Sequence, residues 1–177
     1  LWLTKPIGVG ILLSAHARSM CRANDYRSLI DAMLLRQYEV ARIAAECGIT
    51  AGTDVTGFGL AGHLLEMLQS SRVAATIRLD RIPLLPGVQD YVGQGVESSL
   101  APENRLVASR MADAGTDRAA AHAALFDPQT CGGLLLGLAP DRVDRLRESF
   151  ALASLPQATH IGDVTEEDPD RPRLNVL

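Results

Sequence analysis

Aromatic residues are scarce in this sequence, and it has no dense basic run and no long apolar run. Aromatics make up 4% of its 177 residues, and the formal net charge is −4. Nucleic-acid surfaces need clustered Lys and Arg, and base-stacking surfaces also need aromatic rings, so nucleic acid is excluded as an expected partner. No apolar segment approaches the roughly 20 residues of a membrane helix, and no signal sequence opens the chain. A soluble protein with no membrane partner is predicted.

Cysteine is also rare, with single residues at Cys21, Cys47 and Cys131 and no CxxC pair. This spacing indicates neither a disulfide framework nor a thiolate metal site, and it favours a reducing, cytoplasmic compartment. The chain starts without Met and within a predicted strand, so we expect a fragment of a longer protein.

The composition is aliphatic, with 47% apolar and 21% charged residues. Such a chain is long enough to bury a sizeable core and is typical of a single α/β or α+β domain. No internal repeat is present, and hydrophobic periodicity predicts alternating strands and helices. Strands are predicted at 7–13, 49–55, 73–79, 134–138, 159–164 and 174–177. Helices are predicted from Asn24 or Asp25 to Gly48, as one helix or two, and after 60, near 88–91, near 98–107 and after Pro140. The segment 113–117 is predicted to connect helices.

The stretch 53–60 joins an apolar run to a helical run through glycines and carries one acid, Asp54. Gly57 and Gly59 permit positive φ or close backbone approach, while Thr53 and Thr56 place oxygens beside the first N–H groups of a helix. Such a corner suits a phosphate or a metal ion. A carboxylate here can equally cap the helix, which contributes about 0.3–1 kcal/mol without any ligand. Spacing alone favours the capping role.

Five short motifs together resemble the C-terminal half of the selenide, water dikinase (selenophosphate synthetase) family. They occur in the family's order over nearly the full chain: LTKPIG at 3–8, TDVTGFGL at 53–60, GHLLEM at 62–67, SSLAPEN at 98–104 and DPQTCGGLL at 127–135. The resemblance implies the domain type of aminoimidazole ribonucleotide synthetase, thiamine monophosphate kinase and the hydrogenase maturation dehydratase. In that α+β fold, a layered α/β/α domain, helices pack on a mixed β-sheet.

The same resemblance implies that residues 1–177 form the single C-terminal domain of a two-domain synthetase. The N-terminal ATP-binding domain, which is absent from this chain, is implied to supply most nucleotide ligands, the reactive Cys or selenocysteine and the homodimer contact of the full-length protein. No catalytic residue is therefore expected in this fragment, which alone is expected to be inactive.

The implied activity is an ATP-dependent phosphotransfer that makes selenophosphate from selenide, ATP and water. ATP and Mg²⁺ would be shared with the absent domain. Asp54 then becomes a metal ligand, and Thr53, Thr56 and Gly57 shape the nucleotide-binding corner. Mg²⁺ prefers one or two carboxylates together with phosphate oxygens and water, so one acid from this domain suffices. With the resemblance included, the ligand role of Asp54 is preferred to the capping role.

Several other residues keep two interpretations. Thr4 and Lys5 are placed at the entrance from the missing domain, where a phosphate contact and a solvated lysine are equally compatible. His63 is interpreted as a structural imidazole that bonds across the fold rather than as an acid or base. The segment 127–133 is interpreted as a structural turn rather than a closing loop, and Cys131 as a buried, inert thiol.

The chain departs from the family pattern at three positions. Cys131 stands where Ser is usual, and Gln37 and Tyr38 stand where Asn and Arg are common. Two alternative functions therefore stay open. One is a superfamily relative with another substrate, against which the SSLAPEN motif argues. The other is a non-catalytic structural or regulatory module fused to another enzyme.

Overall fold

The computed structural model describes residues 1–113 and 118–177, in which two four-stranded sheets are packed by helices. The strands are β1 (Trp2–Leu3), β2 (Ala51–Asp54), β3 (Val73–Ile77), β4 (Met111–Asp113), β5 (Leu134–Gly137), β6 (Thr159–His160), β7 (Gly162–Glu166) and β8 (Leu174–Val176). The helices are α1 (Val9–Ala17), α2 (Ala23–Leu34), α3 (Tyr38–Glu46), α4 (Gly59–Ser71), α5 (Val88–Gly93), α6 (Ala101–Asn104), α7 (Ala119–Ala124) and α8 (Val143–Leu152). Short 3₁₀ turns cover Leu79–Arg81, Arg105–Arg110 and Pro140–Arg142.

The first sheet has the strand order β2-β5-β1-β6, and all of its neighbouring strands are antiparallel. The second sheet has the order β4-β8-β3-β7 and is mixed, because β8 runs parallel to β3 and β4 whereas β7 runs antiparallel to β3. These sheets and their helices confirm the predicted α+β fold with a mixed sheet.

Two apolar clusters separate the layers, and adjacent residues of β1 belong to different clusters because side chains alternate along a strand. Leu3 lies in the main core with α1, α4 and the second sheet. Trp2 lies in a smaller cluster between the first sheet and the helices α3 and α8, with Leu136 and Phe150. The first sheet is therefore covered on both faces, as a layered α/β/α arrangement requires.

The predicted strand at 7–13 is wrong, since the chain is helical from Val9 onward. Most of α1 is buried, including Val9, Gly10, Ile11 and Leu12. A helix that is buried on nearly all sides shows no polar face, and its apolar run cannot be distinguished from a buried strand by periodicity.

The other predicted elements are present with altered boundaries. The long helical run is two helices, α2 and α3, and it ends at Gly48, whose φ of 75° follows the C-cap Cys47. The predicted strand at 159–164 is divided between the two sheets at Ile161, whose N–H bonds to Leu1 and whose carbonyl accepts from Arg78. Of the predicted connection at 113–117, Asp113 ends β4, and residues 114–117 lie outside the described residues.

Candidate functional site

Strand β2 carries Asp54 to the end of the first sheet, where it pairs with Leu134 of β5. The next residue, Val55, is buried and donates its N–H to the Gly133 carbonyl at 2.9 Å. The Asp54 side chain is exposed and makes no hydrogen bond or ion pair with any described residue. Helix α4 has Phe58 as its N-cap and no side-chain cap bond. The capping role that spacing alone favoured is therefore not the role of Asp54 in this structure.

The backbone of the turn between β2 and α4 is held by hydrogen bonds from three residues. The Thr56 carbonyl accepts hydrogen bonds from Gly59 N–H at 3.1 Å and from Gln129 N–H at 3.0 Å. The Asn104 amide, from the SSLAPEN motif, donates to the Gly57 carbonyl at 2.8 Å and to a second carbonyl at 2.9 Å. Gly59 has a φ of 71°, and a Cβ there would lie 2.7 Å from the Leu125 carbonyl oxygen. This turn needs its second glycine for both reasons.

A surface cavity of about 440 Å³ lies beside this turn and is lined by Asp54, Thr56, Lys5 and Cys131, among others. The predicted site residues do not all share it. Thr53 lines a neighbouring cavity of about 490 Å³ that also includes Asp54. Gly57 lines a third depression with Phe58 and Asn104. Asp54 is thus on the border of two cavities, and only Thr56 among the other predicted residues faces the one that contains Lys5.

Lys5 is buried, with 4% of its surface exposed, so the solvated-lysine alternative is excluded. Its ammonium donates to the Cys131 carbonyl at 2.8 Å. Burial lowers the pKa of Lys5, because the charged form loses hydration, and the nearby Cys131 side chain opposes that shift. A buried ammonium with one carbonyl partner keeps further N–H donors for an anionic group in the cavity.

Cys131 is exposed, so the prediction of a buried thiol is wrong. Its φ of 54° places it in the left-handed region, which is uncommon for a residue with a side chain. The turn it belongs to directs the Cys131 carbonyl to the Lys5 ammonium. The two glycines after Cys131 indicated a turn, but they did not indicate whether the Cys131 side chain faces solvent.

Thr4 connects the first sheet to the segment between α2 and α3. Its hydroxyl accepts a hydrogen bond from Leu134 N–H at 2.7 Å and donates to the Gln37 side-chain oxygen at 2.6 Å. Gln37 and its exposed neighbour Tyr38 line the same cavity as Asp54. These two departures from the family pattern, like the third at Cys131, therefore line the cavity of the candidate site.

The DPQTCGG segment caps α1 from more than 100 residues away. Gln129 accepts hydrogen bonds from the N–H groups of Gly8 and Val9 at 3.1 and 3.2 Å, and Asp127 accepts one from Gly10 at 2.8 Å. The Gln129 amide also donates to the Asp127 carboxylate at 2.9 Å. These bonds satisfy N–H groups that a helix start leaves unpaired. The structural role predicted for this segment agrees with these contacts, and it fixes the start of α1 just after Lys5.

Burial raises the pKa of Asp127 to about 7, although the amide of Gln129 and the backbone of Ile11 and Gly10 favour the charged form. The residue is fully buried, and its Oδ1 has no hydrogen-bond partner in the described part of the chain. Removing a carboxylate from water disfavours its charge, which is the dominant cause here.

We expect this carboxyl to make the protein less stable as pH rises from about 4 to about 7. Its folded pKa is above the unfolded value, so the folded state binds the proton more tightly, and that stabilisation is complete at low pH and lost through the folded pKa. Asp127→Asn removes the titration, and the difference in unfolding free energy between the two proteins should change by at most about 1.4 kcal/mol per pH unit in this window. Urea unfolding at pH 4.5 and 7.5 measures it. A constant difference would contradict the prediction.

The sequence matches a known protein family over nearly its full length. The family described as AIR synthase related protein, C-terminal domain, matches residues 1–175. The chain belongs to the AIR synthase-related C-terminal domain family. This confirms the predicted fold type and the resemblance drawn from the five motifs.

Curated relatives of this family member are named selenide, water dikinase. The protein from Shewanella sp. (strain MR-7) is 42% identical over 141 residues, which is 80% of this chain and 40% of that protein. The protein from Salmonella typhi is 35% identical over 181 residues, which is 99% of this chain and 50% of that protein. The chain thus spans about half the length of the curated relatives it matches.

Solved structures of the same fold include a thiamine-monophosphate kinase from Stenotrophomonas maltophilia, with a TM-score of 0.66 and 20% identity over 99% of this chain and 48% of that one. A hydrogenase maturation protein HypE, solved in complex with ATP, has a TM-score of 0.56 and 16% identity over 99% of this chain and 46% of that one. At these identities the likeness shows the fold.

In this AIR synthase-related domain, no group of three or more His, Cys, Asp or Glu residues that could hold a metal ion occurs within 1–113 and 118–177. A metal ion at Asp54 would therefore take its other ligands from phosphate oxygens, water, hydroxyl or carbonyl oxygens, or groups outside the described residues. An unpartnered, exposed carboxylate fits that role. The described helices include none long and apolar enough to cross a membrane.

Three residues that build this site of the AIR synthase-related domain were not predicted from the sequence as site residues. They are Gln37, Asn104 and Gln129, all polar side chains that bond to backbone or side-chain groups of distant segments. Asn104 and Gln129 lie inside recognised motifs, which was the available signal. Their partners depend on which loops meet, and spacing along the chain does not specify that.

Proposed function

We propose that this chain is the C-terminal domain of a selenide, water dikinase-like phosphotransferase, in which it completes a nucleotide and Mg²⁺ site formed mainly by the rest of the protein. The reaction converts selenide, ATP and water into selenophosphate, AMP and phosphate. The observation that carries this proposal is the exposed Asp54 carboxylate, without a partner among described residues, beside the Lys5 ammonium and the Thr56 hydroxyl. Sequence identity to selenide, water dikinases over most of the chain supports it.

Each of these three groups has a distinct task in the proposed site. Asp54 would hold Mg²⁺, which when bound would neutralise phosphate charge. Lys5, fixed on the Cys131 carbonyl, directs its remaining N–H donors to a phosphate oxygen. Thr53 and Gly57 shape the neighbouring surface, since both line adjacent depressions rather than the cavity of Lys5.

This chain contributes few of the donors and metal ligands that the proposed site needs. Phosphoryl transfer requires several positioned donors and metal ligands around the phosphates. The proposed enzyme therefore obtains the other groups from an N-terminal ATP-binding domain of the same protein. The homodimer of the full-length form, selenide as substrate and the cytoplasmic location are what the resemblance to selenide, water dikinases implies. The chain alone is expected to be inactive.

The test is product analysis with the full-length protein. With ATP, Mg²⁺ and selenide, we expect AMP and orthophosphate in equal amounts and a phosphorus resonance of selenophosphate. Omission of selenide should lower the formation of all three products, and residues 1–177 alone should form none. ATP consumption that depends on a different acceptor would indicate another superfamily substrate. No ATP consumption by the full-length protein under any of these conditions would favour the non-catalytic module.

A further inference from the structure

The backbone of Thr56 is held by hydrogen bonds that do not involve its hydroxyl, and the hydroxyl has a separate contact. Its carbonyl accepts from Gly59 and Gln129, and the adjoining Gly57 carbonyl accepts from Asn104. Its hydroxyl oxygen lies 3.0 Å from Nε2 of His63, and Thr56 is one of the residues that line the cavity beside Asp54. Whether the Thr56 hydroxyl can donate or only accept a hydrogen bond in the cavity therefore depends on the tautomer of His63.

The imidazole of His63 lies under the turn, on α4. It is 8% exposed, and the Phe58 ring lies over it with a centroid separation of 5.6 Å. Its second nitrogen, Nδ1, lies 3.9 Å from a carboxylate oxygen of Glu66. In the described part of the chain, Thr56 is its one hydrogen-bond partner. The prediction that His63 bonds across the fold is wrong, because its bond is to Thr56, seven residues away, at the candidate site.

The carboxylate of Glu66, 3.9 Å from Nδ1, favours one of the two neutral tautomers of His63. A carboxylate next to Nδ1 favours the tautomer with its proton on Nδ1, which leaves Nε2 with a lone pair. The Thr56 hydroxyl then donates its proton to Nε2. Its oxygen lone pairs are left for the cavity, where they can accept but cannot donate.

We propose that His63 is a positioning residue that holds the Thr56 hydroxyl as an acceptor, directed to the Mg²⁺ ion or to a water bound to it rather than to a phosphate oxygen. This inference rests on the proposed function. A phosphate oxygen requires a donor, and the Lys5 ammonium supplies one in the same cavity. Asp54 and Thr56 then form the acceptor side for the cation, and Lys5 forms the donor side for the phosphate.

A purely structural role for the His63–Thr56 bond is weaker, because the turn is already secured by three other backbone contacts. Those contacts come from Gly59, Gln129 and Asn104 and do not involve the hydroxyl. Loss of the imidazole should consequently alter the hydroxyl more than the backbone. This difference makes the two roles separable by experiment.

The first test measures the Mg²⁺ concentration for half-maximal ATP consumption by the full-length protein, with the melting temperature of each variant. His63→Leu, which cannot accept a proton, should raise that concentration about three- to tenfold, as for loss of one neutral hydrogen bond. His63→Gln, which retains an acceptor at similar reach, should remain within about twofold of the parent. Thr56→Ser keeps the hydroxyl and serves as the matched control for Thr56→Val.

The double variant decides whether His63 acts through Thr56. In the Thr56→Val background, His63→Leu should cause no further rise in the Mg²⁺ requirement. If the effects of the two single changes multiply instead, His63 does not act through the Thr56 hydroxyl and the inference is overturned. An equal loss of melting temperature in His63→Leu and His63→Gln would assign a structural role and would also overturn it.

A second measurement requires no turnover. The full-length protein is labelled with ¹⁵N in histidine, and the His63 resonances are assigned by their absence in His63→Gln. These resonances should show that Nδ1 is protonated and Nε2 is unprotonated. A proton on Nε2 would make Thr56 a donor and overturn the inference.

If wild-type protein consumes no ATP, the proposed function fails while the tautomer result still stands. If Asp54→Asn is impaired but His63→Leu and Thr56→Val are not, only this inference fails.

Discussion

Asp54→Asn in the full-length protein should lower Mg²⁺-dependent ATP consumption by about 100-fold or more, on the scale of removing one preorganised electrostatic group from an active site. The substitution keeps the shape of the side chain and removes its charge. Mg²⁺ is a hard cation that prefers carboxylate oxygens, and no second acidic, His or Cys cluster among the described residues can replace Asp54. The measurement is the rate of ATP consumption as a function of Mg²⁺ concentration.

Stability should not change in this variant. The Asp54 side chain is exposed and has no bond to a described residue, and surface substitutions of that kind usually alter unfolding free energy by less than about 0.5 kcal/mol. Asp31→Asn, which removes an exposed acid from α2, is the matched control and should leave both rate and melting temperature unchanged. Normal Mg²⁺-dependent consumption in Asp54→Asn would refute the ligand assignment. A lowered melting temperature would instead indicate a structural role.

Gly132→Ala should destabilise the chain by about 1–3 kcal/mol, the usual cost of forcing extra atoms into a packed interior. A Cβ on Gly132 would lie 2.0 Å from the Val55 carbonyl oxygen, and a backbone atom cannot move aside as a flexible side chain can. Because Val55 directly follows Asp54, its displacement should also reduce ATP consumption by the full-length protein. Thermal unfolding measures the first effect and the Mg²⁺-dependent rate the second.

Gly93→Ala provides the comparison for this prediction. A Cβ there meets no atom within 4 Å, and Gly93 is the last residue of α5. Ala is the better helix former, so this change should leave stability unaltered or raise it by up to about 1 kcal/mol. If Gly132→Ala unfolded at the same temperature as Gly93→Ala, the close approach of the Gly132 and Val55 backbones would be contradicted.

The order of most elements was predictable because local patterns determine it. The alternation at 73–79 predicted β3, observed at Val73–Ile77, and the apolar run at 134–138 predicted β5, observed at Leu134–Gly137. Where burial removes the polar positions, the pattern loses its period, and α1 was mistaken for a strand for that reason. The strand at 159–164 was not predicted to divide at Ile161, since a crossing between two sheets needs partners that lie far away in the chain.

The candidate site was predicted in part. Asp54 was identified from its motif, and its ligand role stays a prediction together with those of Thr53, Thr56 and Gly57. The burial of Lys5 and the exposure of Cys131 were not predictable, because one hydrogen bond across 126 residues places both. The preference of an isolated residue type for core or surface does not include such a partner.

By itself, the sequence determined the aliphatic interior, the succession of strands and helices, the glycine corner that bears one acid, and the motifs that identify the family. All of these depend on neighbours within a few residues or on the order of short motifs. The tertiary structure alone decided that Gln129 caps α1, that Asn104 secures the turn after Asp54, and that His63 bonds to Thr56. The register of β5 between β1 and β2 brings the segment of Gln129 to the start of α1 and to the turn after Asp54, and a register between strands 80 or more residues apart is not encoded in any local pattern.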